Sequence, residues 1–260
     1  SIANIYQIDL NTLKSKKCFS TRRDKIHSHP RLIYSSKGTY FCFLAGDFGY
    51  GHISVYNASD GNQIWMNDTS HFRFSLSAAF SQDETILATP SIDTTVRLWG
   101  VESGLETSLP LKHDGGVWRA VFSPDQKKLA VISDQNDLWI WSIPNESHAQ
   151  VLYFPRRLKA EIVDVAFNET GDKIVTITID GEFLEWDLNV PTYKPMLLTH
   201  SGVIQGYDLS NDGKWAATGG EDNVVALLLS ELPPSKPKLT CVLLPAVLPT
   251  PMAVEPLFNV

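Results

Sequence analysis

The chain has 260 residues, a net charge of −7 and an apolar fraction of 43%. That length is enough for one large all-β domain with a sizeable core, and the acidic balance supplies no overall field to attract nucleic acid or an anionic membrane. Cys18, Cys42 and Cys241 are odd in number and far apart, which argues against a disulfide framework or a cysteine zinc site and for a reducing, intracellular setting. No apolar run reaches the roughly 18 residues of a membrane helix. Residues 1–13 mix polar and apolar positions without a signal-peptide layout.

In chain order, Ile5 to Thr12 matches the pattern Val96 to Ser103 and is expected to be the last strand of a repeating unit. Lys14, Lys16, Lys17, Arg22, Arg23 and Lys25 follow as a basic segment, expected to be a solvated connection. A first unit spans 27–64, from Tyr34-Ser35-Ser36 through Asp47 to Ile53–Tyr56, with the glycine-rich stretch Gly46 to Gly51 as a long hairpin loop. The second, 71–104, carries Phe80-Ser81-Gln82-Asp83, Ile86–Thr89 and Asp93–Trp99. The pattern returns 42 residues later as Phe122-Ser123-Pro124-Asp125, Lys128–Val131 and Leu138–Trp141, giving a third unit at 113–147. Fourth and fifth units at 158–192 and 200–232 repeat it from Phe167 and from Leu209.

Within each unit the alternation seen in Val96 and Leu98, or Leu138 and Ile140, is the period of a strand, and Ser-Pro-Asp or Asn-Asp-Gly supplies the turns. A four-stranded sheet of this size cannot bury both faces alone, so the copies must stack, and an array with an open end would expose apolar edges. Residues 233–260 are irregular and rich in proline, with Met252 to Asn259 resembling a first strand. The terminal segments either close one sixth unit together or belong to a larger ring.

These units resemble WD repeats. Leu98-Trp99, Ile140-Trp141 and Trp186-Asp187 stand where that family has its Trp-Asp pair, and His71, His113 and His200 stand at its Gly-His element. The resemblance implies an all-β propeller of four-stranded antiparallel blades, forming a single domain, with a His–Ser/Thr–Asp–Trp hydrogen-bond chain in each blade. The second unit matches that chain fully with His71, Thr89, Asp93 and Trp99. The third keeps His113 and Trp141, with Val131 and Gln135 at the other positions. The fourth keeps Thr176, Asp180 and Trp186, with Leu158 replacing His. The fifth keeps His200, Thr218 and Asp222, with Leu228 replacing Trp. The first keeps only Asp47, which predicts a less rigid blade.

The resemblance also implies that partners meet one rim, which by register carries Leu76, Trp118, Val163 and Gln205, and Gly46, Ile92, Asp134, Ile179 and Glu221. Trp118 is the expected anchor, unless it packs on a neighbouring blade. No metal spacing, Walker loop, Rossmann fingerprint or nucleophile elbow is present. The histidines have a structural explanation, His27 and His29 fall in a loop, and the four Asn-x-Ser/Thr sites read as turn chemistry. The expectation is a non-catalytic interaction scaffold without cofactor or metal. Its partner would be a protein or another domain in an assembly, in the cytoplasm or nucleus. An anionic-lipid or nucleic-acid role through 14–25 and 154–159, and a propeller enzyme with acids in the channel, are the alternatives.

Overall fold

β-branched and aromatic residues alternate with polar ones in short runs between turn residues, and the backbone follows that pattern. The structure, a computed structural model, describes residues 2–8, 15–22, 31–46, 51–68, 71–73, 75, 77–143, 149–153, 161–180, 182–189, 192–196, 203–209, 215–222 and 225–229. They form antiparallel strands, and no helix occurs among them. A first pair, β1 (Ile2–Ile8) and β2 (Ser15–Arg22), makes a two-stranded sheet. Sheet 1 is β3 (Arg31–Tyr34), β4 (Tyr40–Gly46), β5 (Gly51–Asn57) and β6 (Gln63–Asn67). Sheet 2 is β7 (Ala79–Phe80), β8 (Ile86–Pro90), β9 (Thr95–Gly100) and β10 (Leu111–Lys112). Sheet 3 is β11 (Val117–Phe122), β12 (Lys128–Ser133), β13 (Asp137–Ser142) and β14 (Ala149–Tyr153). Sheet 4 is β15 (Ile162–Phe167), β16 (Lys173–Thr178), β17 (Phe183–Asp187) and β18 (Thr192–Met196). Sheet 5 is β19 (Ile204–Leu209), β20 (Trp215–Gly220) and β21 (Val225–Leu229). Each is a meander in sequence order.

Apolar residues on both faces of a sheet demand a cover on each side, and successive sheets provide it for one another. Cys42, Leu44, Ile53 and Val55 of sheet 1 pack on Ala78, Leu87 and Trp99 of sheet 2. Ala88, Val96 and Leu98, on the other face of sheet 2, meet Val117, Ala120, Leu129 and Val131 of sheet 3. Ala130, Ile132, Leu138 and Ile140 then meet Ile162, Val165, Phe167 and Ile174. Ala166, Val175, Ile177 and Phe183 meet Ile204 of sheet 5. Each fully buried Leu or Ile in these layers contributes about 1.5–3 kcal/mol, so the stack is stabilised chiefly by burial between sheets. The inner strands β7, β11, β15 and β19 are neighbours in turn.

The hairpin turns between the first and second strands tie the stack together along one face. They need a left-handed residue at one position, where Gly38 (φ 73°) and Gly171 (φ 70°) sit, but Glu84 (φ 67°) and Gln126 (φ 61°) occupy it in sheets 2 and 3. Both side chains reach back to the preceding sheet's turn. Lys37 N donates to Glu84 Oε1 at 2.8 Å, and the Gln126 amide nitrogen donates to Asp83 Oδ1 at 2.7 Å. Lys128 Nζ reaches forward to the Gly171 carbonyl at 3.0 Å.

The outermost sheets differ from those between them. Ala78, Ala120 and Val165 are buried, whereas Leu32 and Tyr207 at the same register position are 41% and 44% exposed. Tyr40 and Ile86 pack into the interface that follows their sheets, but Trp215, at their position in sheet 5, is 46% exposed. Leu32, Tyr34, Tyr207 and Trp215 are thus exposed, while Phe41, Phe43 and Tyr56 of sheet 1 are buried.

A Cβ on Gly38 would meet nothing within 4 Å, so Gly38→Ala isolates the cost of the left-handed backbone. It should lower unfolding stability by about 1–2 kcal/mol, read as a shifted urea midpoint with an unchanged slope.

Candidate interaction surface

The polar landmarks of the repeat are engaged inside the sheets. In sheet 2, Trp99 Nε1 donates to Thr89 Oγ1 at 2.8 Å, and Thr89 Oγ1 lies 2.9 Å from His71 Nε2. His71 Nδ1 lies 2.8 Å from Asp93 Oδ2. These partners place the proton on Nδ1, so each group donates along one line ending at the carboxylate. Asp93 is completed by Thr95 Oγ1 at 2.6 Å and by the Phe72 N–H at 3.1 Å. Burial alone would raise the Asp93 carboxyl. Bonds and charge from His71, with bonds from Thr95, instead bring it down to about 2.

The other sheets show how the chain shortens when members are missing. In sheet 3, where Val131 replaces the hydroxyl residue, Trp141 Nε1 donates directly to His113 Nε2 at 3.0 Å. Burial pushes His113 down to about 4, against a weaker upward pull from the Thr94 and Leu111 backbone, so the ring stays neutral and can accept that bond. In sheet 4, Trp186 Nε1 donates to Thr176 Oγ1 at 3.0 Å, while Asp180 is exposed. In sheet 5, Thr218 is buried and Asp222 half-buried; His200 lies outside the described residues, as do Asp47 and Leu158.

Sheet 1 holds a substitute that sequence reasoning missed. His52 Nδ1 bonds to Asp68, and His52 Nε2 lies 2.6 Å from Ser54 Oγ. His52, Ser54 and Tyr56 alternate along β5, and that alternation was the one signal for it in the sequence. The order Asp–His–Ser matches a hydrolase triad, but Ser54 is 0% exposed in mid-strand opposite Phe43, where no substrate can reach it. Asn57 and Asn168 likewise serve turns: Asn57 Oδ1 accepts the Ser59 N–H, and Asn168 Oδ1 accepts the Lys173 N–H.

The rim positions fall on a repeated irregularity. Val117 pairs with Ser133 and Arg119 with Ile132, so Trp118 is the extra residue of a bulge. Val163 and Gln205 occupy the same bulge in β15 and β19. Bulges re-aim side chains. Here Trp118 turns onto the layer between sheets 3 and 4, and Val163 onto the layer between sheets 4 and 5; both are half-buried. Ile92 and Ile179 are half-buried in turns at the same end, where Asp134 and Glu221 are exposed and Gly46 is buried at the end of β4. Leu76 and the side chain of Gln205 lie outside the described residues. Asp114 and Asp180 are exposed in neighbouring loops, with Arg73 as an exposed base.

Five sheets stacked through their faces around inner strands define a β-propeller architecture. The family model for "WD domain, G-beta repeat" matches residues 69–100 and 192–227. The chain is similar to Actin-interacting protein 1 of Drosophila melanogaster, at 28% identity over 62% of this chain and 26% of that protein. It is also similar to Protein HIR1 of Eremothecium gossypii, at 26% identity over 56% and 21%. A third relative is one of the subunits of Chromatin assembly factor 1 from Gallus gallus, at 23% identity over 54% and 29%. The chain therefore spans between a fifth and a third of these relatives. Among solved structures, the β-propeller domain of Cps50 (Swd1) from Myceliophteria thermophila superposes with a TM-score of 0.68 at 16% identity, covering 81% of this chain and 70% of that one. The fold is that of a β-propeller, and two stretches of the chain match the WD repeat.

Thr89→Val leaves both the His71 and the Trp99 nitrogens without their shared buried partner. It should cost about 2–4 kcal/mol in chemical denaturation. Stability should also fall in acid over two windows. His113 ordinarily titrates at 6.5 and does so at about 4 when folded, so the unfolded chain takes up the proton first and stability drops between those values. Asp93 ordinarily titrates at 3.8 and at about 2 when folded, so its contribution, complete above 3.8, is lost as pH falls through about 2. His113→Gln keeps an acceptor for Trp141 and should flatten the upper window alone in a pH series of melting curves.

Proposed function

We propose that this propeller is a non-catalytic scaffold that presents its rim to a basic protein surface within a larger assembly. The observation that carries this reading is the division of labour among side chains. The histidines, threonines and tryptophans of the repeat are consumed in internal bonds, whereas the rim leaves Asp114, Asp134, Asp180 and Glu221 in solvent. An acidic rim on a chain of net charge −7 steers and orients a basic partner. Trp118, Ile92 and Ile179 supply apolar ground among those charges, since each keeps part of its surface accessible. The names of the relatives support the role: one belongs to a chromatin assembly factor and another to a translation initiation factor, each as one of several subunits. A nuclear setting fits the first of these.

The anionic-ligand reading gains no support among the described residues. The rim is acidic, and the side chains of segments 14–25 and 154–159 lie outside them.

Affinity purification of the protein should recover a partner whose binding weakens about tenfold on Asp134→Lys together with Glu221→Lys, more strongly at low salt. Trp118→Ala should cost about 2 kcal/mol of affinity in calorimetry. Binding that is indifferent to both, with folding verified by melting temperature, would exclude the rim.

A further inference from the structure

Strands β3, β7, β11 and β15 enclose a cavity of about 380 Å³ between them. Its wall runs from Arg119, next to the rim residue Trp118, to the turn residues Ser36, Gln82 and Pro124 on the opposite face. Between those ends the lining is apolar, with Ile33, Ala79, Phe80, Val121, Phe122 and Val165. Phe80, Val121 and Phe122 are only half-buried, because they face this space as well as a sheet interface.

Arg119 is the cation on that wall. Its Nε lies 2.8 Å from Asp164 Oδ1 across the gap between sheets 3 and 4. Asp164 is buried and also accepts the Val165 N–H at 2.8 Å, so the carboxylate that holds Arg119 is itself held. The Arg119 side chain remains 40% exposed. A guanidinium offers a planar pair of donors, the geometry that matches a carboxylate. An apolar cavity of this size with one oriented polar group fits a ligand that has an apolar body and a single charged end.

We infer that this cavity binds a small apolar organic acid, or the carboxylate of a C-terminal apolar residue, with the carboxylate on the Nη edge of Arg119 and the body against Phe80 and Phe122. The site does not rest on the scaffold reading, since it uses none of the exposed rim acids.

The test titrates the purified chain with phenylbutyrate and with phenylbutanol, which differ at the charged end, and with the tripeptide Gly-Gly-Phe as free acid and as amide. Binding is read by calorimetry and by methyl NMR shifts at Ile33, Ala79 and Val121. The expected result is a dissociation constant on the order of 1 mM or tighter for at least one acid. Its neutral counterpart should bind about tenfold or more weakly. Tighter binding of the peptide acid assigns the source as a C-terminus; tighter binding of phenylbutyrate assigns a small acid. Arg119→Met should remove the preference for the acid while sparing phenylbutanol. Should that variant fail to fold with Asp164 unpaired, Ala79→Trp fills the cavity without touching the ion pair and should abolish binding of every probe. Equal binding of acid and neutral partner, no binding of either acid, or binding unchanged in Ala79→Trp would each overturn the assignment.

Discussion

Sheets 1 to 4 each have two apolar faces and too little polar surface to leave either in water. Leu87 and Trp99 look one way from sheet 2 while Ala88 and Leu98 look the other. The only cover of matching shape is the next copy of the same sheet, so the stack is a consequence of alternation along the strands. The inner strands are drawn together by the same burial, which creates both a rim and a central space. Burial is non-directional, however, and would tolerate a sheet slipping or tilting against its neighbour. The polar bonds remove that freedom. The line from Trp99 through Thr89 and His71 to Asp93 links three segments of one blade. The turn contacts of Glu84 and Gln126 link one blade to the one before it.

The degeneracy of the repeat follows a physical logic. A buried indole N–H is costly without an acceptor, and in the repeat's tryptophan position the acceptor need not be the same atom in every sheet. Thr89 and Thr176 serve in sheets 2 and 4, and a neutral His113 serves in sheet 3. Sheet 1 has no Trp at that position and uses His52 between Asp68 and Ser54 instead.

Interior and terminal sheets carry the same pattern but present different surfaces. At one register position Ala78, Ala120 and Val165 vanish into interfaces, and Leu32 and Tyr207 do not. Arg119, next to Trp118, lines the central space at the rim end, and Ser36, Gln82 and Pro124 line it at the other.

From the sequence alone one reads the strands, the turns and the hydrogen-bond line of sheet 2, because alternation and a 42-residue recurrence are local properties that repetition amplifies. The rim was legible as a set of positions, but its character was not. Trp118 reads as a solvent-facing anchor until the bulge at Val117 and Arg119 turns it onto the next sheet. The pairing of Arg119 with Asp164 joins residues on two different sheets, and the His52 network departs from the repeat that made the others visible. Exposure and ion pairing depend on what the neighbouring sheet places opposite a residue, and that distance exists only once the sheets have packed.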